Sequence, residues 1–278
     1  MFGINLKFKK ILVISNDVGG AKLIQIFCEV NRIKANYFLK GPSKKFFTKK
    51  NYCNDLNKAI KHHDLIFIGT SLKANLEFNA IKLCDSFNKK YVVFLDHWVN
   101  YLVRFIRKNQ RIFPKNIYVF DKHALDIAKN VLKSKKTKIT LKKNYYKKFF
   151  LKNKKKIKQN NKVLYVRSYY ESIFKSNFDY KLFKIFYDKK LFLSKKIYYK
   201  KHPAEPNKIF NKIKSKYPFL KKEKRNFIEN FYWEYGSIIG SNSMIMVYGS
   251  LLNLKVYNNI KNTGLKNTLP KEYIDKII

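Results

Sequence analysis

The sequence predicts an α/β protein made of two successive parallel sheets, each doubly wound with helices. Short runs rich in β-branched and aromatic residues alternate with segments whose apolar residues have helical spacing. The strand-like runs are continuously apolar, which is typical of strands covered on both faces. A stretch without acidic residues, from Ile127 to Tyr170, separates two such series. The chain of 278 residues is long enough for two domains.

The first series opens with a strand, a glycine turn and a helix, in "KKILVISND" followed by "VGGAKLIQIFCEVNRI". Further strands are predicted in "ANYFLKG", "DLIFIGTS" and "KYVVFLDHW". A helix is predicted in "LKANLEFNAIKLCDSFN", and "NIYVFDKHALDIAKNVL" supplies a fifth strand and its helix. A strand followed by a turn and a helix is the beginning of a βαβ unit, so this half is expected to form a parallel sheet.

The second series predicts strands in "KVLYVRS", "KKIYYKKHP", "YGSIIGS" and "LKVYN". Its predicted helices are "ESIFKSNFDYKLFKIFYDKK", "EPNKIFNKIKSKY" and "SMIMVYGSLLN". The lysine-rich stretch between the two series resists packing because its charges repel. We therefore predict Rossmann-like domains at 1–150 and 162–278, joined by a basic linker at 151–161 and facing each other across a cleft. Ligands are expected at the carboxyl ends of the strands.

The formal net charge of +43 is the most unusual number. It is compatible with a polyanionic partner or an anionic membrane surface. Only six of the 61 basic residues are arginine, however, and the lysine excess accompanies abundant Asn, Ile, Phe and Tyr. An AT-rich genome would impose that bias, whereas phosphate-reading surfaces favour arginine. No specific nucleic-acid partner is expected, and peripheral contact with anionic lipid is favoured.

The three cysteines are odd in number and lack C-x-x-C spacing, so neither a disulfide framework nor a zinc site is expected. Free thiols fit a reducing cytoplasm. The N-terminal stretch is too short and too often interrupted by lysine for a signal peptide. No window approaches the length of apolar chain that spans a bilayer. A cytoplasmic protein, peripheral at most on the inner membrane face, is therefore expected.

The most informative turn follows the strand that ends at Gly240. Ser241, Asn242 and Ser243 are placed to begin the next helix, where unpaired N–H groups and the positive end of the helix dipole attract anions. This turn is a candidate site for a donor phosphate. The alternative interpretation is that the three side chains only cap the helix.

A second candidate follows the strand before that one. Pro203 keeps His202 in an extended conformation at the strand end, and Lys201 adds a positive charge. A histidine there could donate a hydrogen bond or a proton to a phosphate. A lone histidine is more often structural, but the order of the two turns brings both to the same sheet edge.

In the first half, Asp17 lies in the first strand-to-helix turn, followed by Gly19 and Gly20, which permit close backbone approach. No G-x-G-x-x-G fingerprint is present. Asp17 could accept a proton from an acceptor hydroxyl, or it could only cap the helix. Thr70, in a similar turn, and Glu77, in the helix after it, are further candidates for acceptor or sugar binding.

The fourth strand ends in a dense group of functional side chains: Asp96, His97, Trp98, Asn100 and Arg104. Aromatic faces with charged groups suit sugar recognition, and an Asp-His pair could serve in acid-base catalysis. Trp98 could instead pack beneath a loop. No role is assigned to the other histidines, His62, His63 and His123, and the first two are expected in solvent at a helix end.

The second half resembles glycosyltransferases of the GT-B type. It is similar among them to bacterial sialyltransferases, polysialyltransferases and capsule Kdo-transferases. The resemblance rests on Lys201-His202-Pro203, then "FIENFYWEYGSIIG", then Ser241-Asn242-Ser243. In the first half "SNDVGGA", "GTSLKANLE", "LDHWVNYLVRF" and "VFDKHALDIA" are similar to motifs of surface-polysaccharide transferases. The resemblance covers most of the chain.

The resemblance implies inverting, metal-independent transfer from a nucleotide sugar to a glycan or lipid-linked acceptor, with no cofactor. The sugar would be sialic-acid-like or Kdo-like, from a CMP donor. His202 would be the general acid or a phosphate ligand, Ser241 and Ser243 would hold the donor phosphate, and Asp17 would be the base. The sialyltransferase base motif is replaced here by Asn16-Asp17-Val18-Gly19, so Asp96 and Glu77 remain alternative bases.

Two other functions stay open. An epimerase or hydrolase of UDP-sugars on the same fold would need similar His and Ser contacts to a diphosphate. A basic nucleic-acid-binding protein is suggested by charge alone. Salt titration distinguishes this last class, because binding to a polyanion weakens steeply as salt rises.

Overall fold

The computed structural model describes residues 10–47, 53–133, 136–142, 145–152, 155–157, 161–168, 184, 196–202, 205–259 and 267–277. The chain divides into two compact units, Met1–Phe149 and Phe150–Ile278, called unit 1 and unit 2. Each unit contains a six-stranded sheet in which every described pair of neighbouring strands is parallel. The prediction of two parallel α/β domains is thereby confirmed.

The strands of unit 1 are β1 Ile11–Ser15, β2 Asn36–Leu39, β3 Leu65–Ile68, β4 Lys90–Phe94, β5 Ile106–Arg107, β6 Gln110–Arg111, β7 Asn116–Val119 and β8 Lys138–Leu141. The sheet order is β2-β1-β3-β4-β7-β8, and β5 and β6 form a separate antiparallel hairpin. The helices are α1 Val18–Val30, α2 Gly41–Phe46, α3 Leu56–His62, α4 Leu76–Ser86 and α5 Lys122–Val131. A further helix, α6 Tyr145–Lys152, contains the division between the units.

The predicted strands of unit 1 form because their apolar runs are covered on both faces. All five residues of β1 are buried, although Ser15 is polar. Phe27 of α1 packs edge-on against Phe67 of β3 and Phe94 of β4, with ring centroids 5.6 and 5.2 Å apart. The sequence did not reveal β8, because the four residues of this edge strand are only exposed or half-buried and lack an apolar run.

The strands of unit 2 are β9 Lys162–Val166, β10 Lys196–Lys200, β11 Lys221–Lys222, β12 Ser237–Gly240, β13 Lys255–Asn258 and β14 Lys276–Ile277. Their order is β11-β10-β9-β12-β13-β14. The helices described in this unit are α7 Asn207–Lys216 and α8 Met244–Leu251. α7 buries Phe210 against Tyr199 of β10, with ring centroids 5.1 Å apart. The helix predicted in "ESIFKSNFDYKLFKIFYDKK" lies outside the described residues apart from Lys184.

Each sheet has one point at which the chain reverses its direction of travel across the strands. In unit 1 the chain goes from β1 outward to β2 and returns to β3 on the other side of β1. In unit 2 it goes from β9 through β10 to β11 and returns to β12 on the other side of β9. The carboxyl ends of β1 and β3, and of β9 and β12, therefore flank a crevice of the kind that binds ligands.

The structure also shows where His63 lies, the state of the cysteines and the character of the helices. His63 is buried rather than exposed, because its Nδ1 bonds to Ala59 O at 2.6 Å and its Nε2 to Asn36 Nδ2 at 3.0 Å. The cysteines Cys28, Cys53 and Cys84 are free thiols. In the described part of the chain, no helix is long and apolar enough to cross a membrane.

Candidate functional sites

Asp17 lies at the switch point of unit 1, between β1 and α1. It occupies the N-cap position, but its side chain makes no capping hydrogen bond. Instead Asn16 Nδ2 donates to Asp17 Oδ1 at 3.0 Å. Burial raises the pKa of the Asp17 carboxyl, an effect that the bond from Asn16 partly opposes. A carboxylate with a raised pKa, freed from capping, is a better proton acceptor than an ordinary surface aspartate.

Glu77 lies beside the same turn, although it belongs to the first turn of α4. Its Oε1 accepts a hydrogen bond from Asn16 N at 2.6 Å. The residue is only 3% exposed, and Oε2 is buried with no hydrogen-bond partner among the described residues. Burial raises the pKa of the carboxyl to about 7. Glu77 is therefore poised to give or take a proton near neutral pH.

Asp96, by contrast, is held by a cation. Arg104 NH1 lies 3.1 Å from Asp96 Oδ1 and 2.7 Å from Thr70 Oγ1, and Thr70 Oγ1 lies 3.4 Å from the same carboxylate oxygen. A Cβ atom added at Gly19 would lie 2.2 Å from Asp96 Oδ2, so Gly19 makes room for this carboxylate at the start of α1. Asp96, Thr70 and Arg104 thus form one connected group, in which Asp96 has an orienting role.

Gly20 allows close packing between two elements of the protein. A Cβ atom at this position would lie 3.2 Å from Gly69 Cα and from Ser15 Oγ. The absence of a side chain therefore lets the start of α1 approach the end of β3. The close backbone approach predicted for Gly20 is made by the protein itself.

Trp98 anchors the loop after β4. The residue is 6% exposed, and its Nε1 donates to the Asp121 carboxylate at 3.0 and 3.2 Å. Its backbone N–H donates to His97 Nδ1 at 3.0 Å. Asn100 has a positive φ of 60° and forms a turn in the same loop. The buried ring leaves no open face for a sugar to stack on, so the packing interpretation accounts for Trp98.

Arg107 was not singled out from the sequence. Its NH2 donates to Ser71 O at 2.8 Å and to Ala74 O at 2.9 Å, and its NH1 donates to Val103 O at 3.1 Å. The guanidinium therefore ties the loop after β3 to the loop after β4. It also contributes positive charge near Glu77 and Asp17.

In unit 2 the switch point holds a cluster of hydroxyl groups. Ser168, two residues after β9, accepts hydrogen bonds on Oγ from Ser241 Oγ at 3.0 Å and from Asn242 N at 3.2 Å. Ser243 is the N-cap of α8, and its Oγ accepts from Ile245 N at 3.3 Å. Capping thus accounts for Ser243, whereas Ser168 and Ser241 meet at the sheet edge and form what we call the hydroxyl cluster.

Gly240 permits this arrangement. A Cβ atom there would lie 2.8 Å from Val166 O and 2.9 Å from the sulfur of Met246. Any side chain would therefore separate β12 from β9 or displace α8. The glycine brings the start of α8 close to the end of β9, where a phosphate could reach the helix N-terminus.

His202 follows β10 and is held by Glu205, a residue missed in the sequence. Glu205 is 2% exposed and accepts from His202 N at 3.2 Å, from Tyr199 OH at 2.8 Å and from Arg167 NH1 at 3.3 Å. Lys201 Nζ donates to Glu205 O at 3.0 Å. Two cations therefore lie at this loop: Lys201 within it, and Arg167, which follows β9 and pairs with Glu205. Pro203 lies outside the described residues.

Burial, and secondarily the charge of Arg167, lowers the pKa of His202 to about 4. The imidazole is therefore neutral at pH 7 in the ligand-free protein, and it can donate one hydrogen bond without carrying a charge. A bound phosphate would favour the protonated form and make proton donation easier.

The structure brings some of the predicted residues together and leaves others on separate strands. β10 and β12 lie on opposite sides of β9, so the carboxyl ends that carry His202 and Ser241 are about 10 Å apart. Arg167 and Ser168 occupy the position between them. They are the last two residues of the predicted strand "KVLYVRS", so the rule that ligands bind at the carboxyl ends of strands applied to them as well.

Among the described residues, no group of three or more His, Cys, Asp or Glu side chains is arranged to hold a metal ion. The two switch points belong to separate units, and they present different functional groups. Unit 1 presents buried carboxyl groups, and unit 2 presents hydroxyls, a helix N-terminus and an imidazole.

The sequence matches no protein-family model, and no curated protein matches it at a significant level. The structure, however, is similar to several solved structures. One is the co-structure of S. aureus MnaA with UDP, at 13% identity and a TM-score of 0.61, covering 90% of this chain and 79% of that one. Another is the Methanocaldococcus jannaschii UDP-GlcNAc 2-epimerase in complex with UDP-GlcNAc and UDP, at 11% identity and a TM-score of 0.58, covering 97% and 88%.

A variant of the wall teichoic acid polymerase TagF, soaked with CDPG, is similar at 13% identity and a TM-score of 0.57, covering 99% of this chain and 78% of that one. Identities this low carry information about the fold alone. The chain therefore shares with these structures a GT-B-like architecture of two parallel-sheet α/β domains, as the sequence predicts.

Proposed function

We propose that the protein is a glycosyltransferase that moves a sugar from a pyrimidine nucleotide to a cell-surface glycan. The observation that carries this proposal is the hydroxyl cluster of Ser168 and Ser241 beside the N-terminus of α8. Two hydroxyls and the positive end of the α8 dipole at a switch point suit the phosphate of a nucleotide. Similar structures that contain UDP support a nucleotide-sugar ligand.

Unit 2 would bind the donor. The phosphate would accept hydrogen bonds from the hydroxyl cluster, with Arg167 supplying positive charge and His202 a hydrogen bond or a proton. As the bond from the anomeric carbon to the phosphate oxygen breaks, the leaving nucleotide takes the electron pair. These groups would stabilise the charge that develops on it.

Unit 1 would activate the acceptor. The acceptor oxygen forms the new bond to the anomeric carbon and loses its proton to a carboxylate, with inversion at that carbon. Asp17 is the proposed base, because burial raises its pKa and it is not engaged in capping. Glu77 is the alternative, and Asp96 is disfavoured by its ion pair with Arg104. We propose a sialic-acid-like or Kdo-like sugar from a CMP donor, with a lipid-linked acceptor at the anionic inner membrane face.

One observation favours a second candidate, an epimerase or hydrolase of UDP-sugars. Epimerisation requires a proton to be removed and returned, and Glu77, with a pKa of about 7, can do both. The similarity to a UDP-GlcNAc 2-epimerase supports this alternative at the level of the fold.

Ligand-induced thermal stabilisation tests the common part of both proposals. We expect CMP or UDP to raise the Tm saturably at moderate salt and GDP to have little effect. Turnover then separates the two functions. Release of CMP from a CMP-sugar that depends on an added glycan acceptor supports the transferase. Conversion of UDP-GlcNAc to its 2-epimer without acceptor, followed by NMR, supports the epimerase. Absence of stabilisation by every nucleotide would contradict both.

A further inference from the structure

Asn259 lies directly beside the hydroxyl cluster. It follows the last residue of β13, and its backbone N–H donates to Gly240 O at 3.0 Å. Gly240 precedes Ser241, so Asn259 is adjacent to the turn that begins α8. The residue is 1% exposed. A polar side chain buried to this degree needs hydrogen-bond partners.

Asn259 has no such partner for its side chain within the described residues, since both Oδ1 and Nδ2 are buried and unbonded. The same is true of Thr268 Oγ1. Thr268 borders the same turn, because its backbone N–H donates to Asn242 Oδ1 at 3.0 Å. Two unsatisfied polar side chains therefore flank Ser241 and Asn242.

The neighbouring asparagine shows that this part of the fold can satisfy a buried amide. Asn258 Nδ2 donates to Ser241 O at 3.1 Å and to Asn267 Oδ1 at 3.2 Å. Asn258 thus holds the turn in place, while the side chain of Asn259 makes no hydrogen bond with the described residues. An unsatisfied buried amide destabilises the free protein, so a ligand that supplies its partners explains its presence.

The chemistry of the two side chains defines what they would bind. A carboxamide presents a donor and an acceptor next to each other, and a threonine hydroxyl adds one group that can act as either. Neither carries a charge. They match a neutral group with adjacent donor and acceptor positions, which the vicinal hydroxyls of a ribose and the edge of a pyrimidine base both provide.

We propose that Asn259 and Thr268 form a subsite for the nucleoside part of the bound nucleotide, next to the hydroxyl cluster that holds its phosphate. This inference rests on the proposed function, because that function places a nucleotide phosphate at the start of α8. The subsite would bind the uncharged nucleoside part of the ligand whose phosphate the hydroxyl cluster binds.

The test is the variant Asn259→Leu, which replaces the amide by an apolar group of similar size. We expect the Tm of the ligand-free protein to rise by about 3 °C, because an unsatisfied polar group is removed. We expect the affinity for CMP and UMP to fall about tenfold, because the nucleoside loses its partner. Calorimetry for ligand-free stability and titration with CMP and UMP measure the two effects.

Asn258→Leu is the matched control. Its amide is satisfied, so the same substitution one residue earlier should lower the Tm. Thr268→Val, which keeps the shape of the side chain, should lower nucleotide affinity in the same direction as Asn259→Leu and remains informative if the first variant folds poorly. Comparison of CMP with 2′-deoxy-CMP and with AMP shows whether the subsite binds the ribose or the pyrimidine base. Loss of discrimination against the deoxy compound assigns the subsite to ribose, and loss of discrimination against AMP assigns it to the base.

Several outcomes would overturn the subsite. If Asn259→Leu lowers the Tm as Asn258→Leu does and leaves affinity unchanged, an ordered water satisfies the amide and the residue is structural. Unchanged affinity with a raised Tm would also overturn it. If the natural protein binds no nucleotide at all, the proposed function fails and the subsite fails with it. Binding by the natural protein together with unchanged affinity of both variants refutes the subsite alone.

Discussion

At the scale of one residue, burial determines the pKa of the Glu77 carboxyl group. Burial raises the pKa of its carboxyl to about 7, so the folded protein keeps a proton that the unfolded chain releases near pH 4.5. The folded state is therefore favoured at low pH, and this contribution is lost as pH rises from about 4.5 through 7.

We expect Glu77→Gln to be more stable than the natural protein at pH 8, by about 2 to 3 kcal/mol, and of similar stability at pH 4. The glutamine oxygen can still accept the hydrogen bond from Asn16 N. Denaturant unfolding at the two pH values measures the difference. Asp126→Asn, the corresponding acid-to-amide change at an exposed carboxylate of α5, is the matched control. An equal effect of Glu77→Gln at both pH values would contradict the prediction.

His202 is the residue on which transfer is expected to depend most. The imidazole follows the end of β10, and the backbone N–H of His202 donates to Glu205 Oε2, a contact that a change of side chain preserves. We expect His202→Ala to reduce sugar transfer by at least about 100-fold, the usual range for loss of acid catalysis. The Tm should change little. Steady-state rates and thermal unfolding measure the two quantities.

His123→Ala is the control for this experiment, because His123 is exposed on α5 and should affect neither quantity. Normal turnover of donor by His202→Ala would show that the ring has no catalytic role.

The low pKa of His202 also gives the stability of the ligand-free protein a pH dependence of the opposite sign to that of Glu77. The stabilisation by neutral His202 is present above about pH 6.5 and is lost as pH falls towards 4.

At the scale of one element, the N-terminus of α8 distinguishes capping from phosphate binding. Ser243 supplies the cap through its contact with Ile245 N, whereas Ser168 accepts from Ser241 and Asn242. We expect Ser168→Ala to weaken CMP or UDP binding by about 1 to 2 kcal/mol. Ser243→Ala should lower stability by about 1 kcal/mol and also weaken binding, because it disturbs the helix start.

Isothermal titration and thermal unfolding measure both quantities. Ser215→Ala, on the exposed surface of α7, is the control, since its Oγ donates to Lys212 O within the same helix. If Ser168→Ala and Ser243→Ala both lose stability but bind nucleotide normally, the turn is a plain helix cap. The phosphate site would then have to be sought elsewhere.

For the whole molecule, with its net charge of +43, the salt dependence of binding distinguishes nonspecific binding to nucleic acid from specific binding of a nucleotide. Lysine-driven adsorption to nucleic acid should weaken steeply between 50 and 200 mM salt, by about 10³-fold if several phosphates are contacted. Stabilisation by a nucleotide held in hydrogen-bonding sites should decrease far less over that range. Fluorescence anisotropy with a labelled oligonucleotide, beside thermal shift with CMP, measures both. Sequence-specific oligonucleotide binding that survives high salt would contradict the proposed function.

Much of the fold could be predicted because its signals are local. The apolar runs of β1, β3, β4 and β9 are contiguous in the chain and buried as expected. The short edge strands β8, β11 and β14 were missed, because exposed lysine-rich segments carry no such run. Their pairing is decided by neighbouring strands and not by their own composition.

The candidate site was predictable to the extent that it follows strand ends. That rule placed Asp17, His202 and Ser241 at the carboxyl edges of the two sheets. It did not reveal which side chains pair. Arg167 meets Glu205, 38 residues later, and Asn16 meets Glu77, 61 residues later. Contacts between residues so far apart in the chain produce no periodic pattern in the sequence.

The amino-acid sequence by itself thus determined two parallel sheets, the helices α1, α4, α5, α7 and α8 and the edges at which chemistry is concentrated, because periodicity and turn residues act over a few positions. The tertiary structure alone decided which of the residues at those edges are held in ion pairs, which caps are used and which polar groups are left without a partner. Those properties depend on burial and on neighbours brought from distant parts of the chain. Both Glu77, whose pKa is raised to about 7, and Asn259, whose amide is unsatisfied among the described residues, owe their character to that environment.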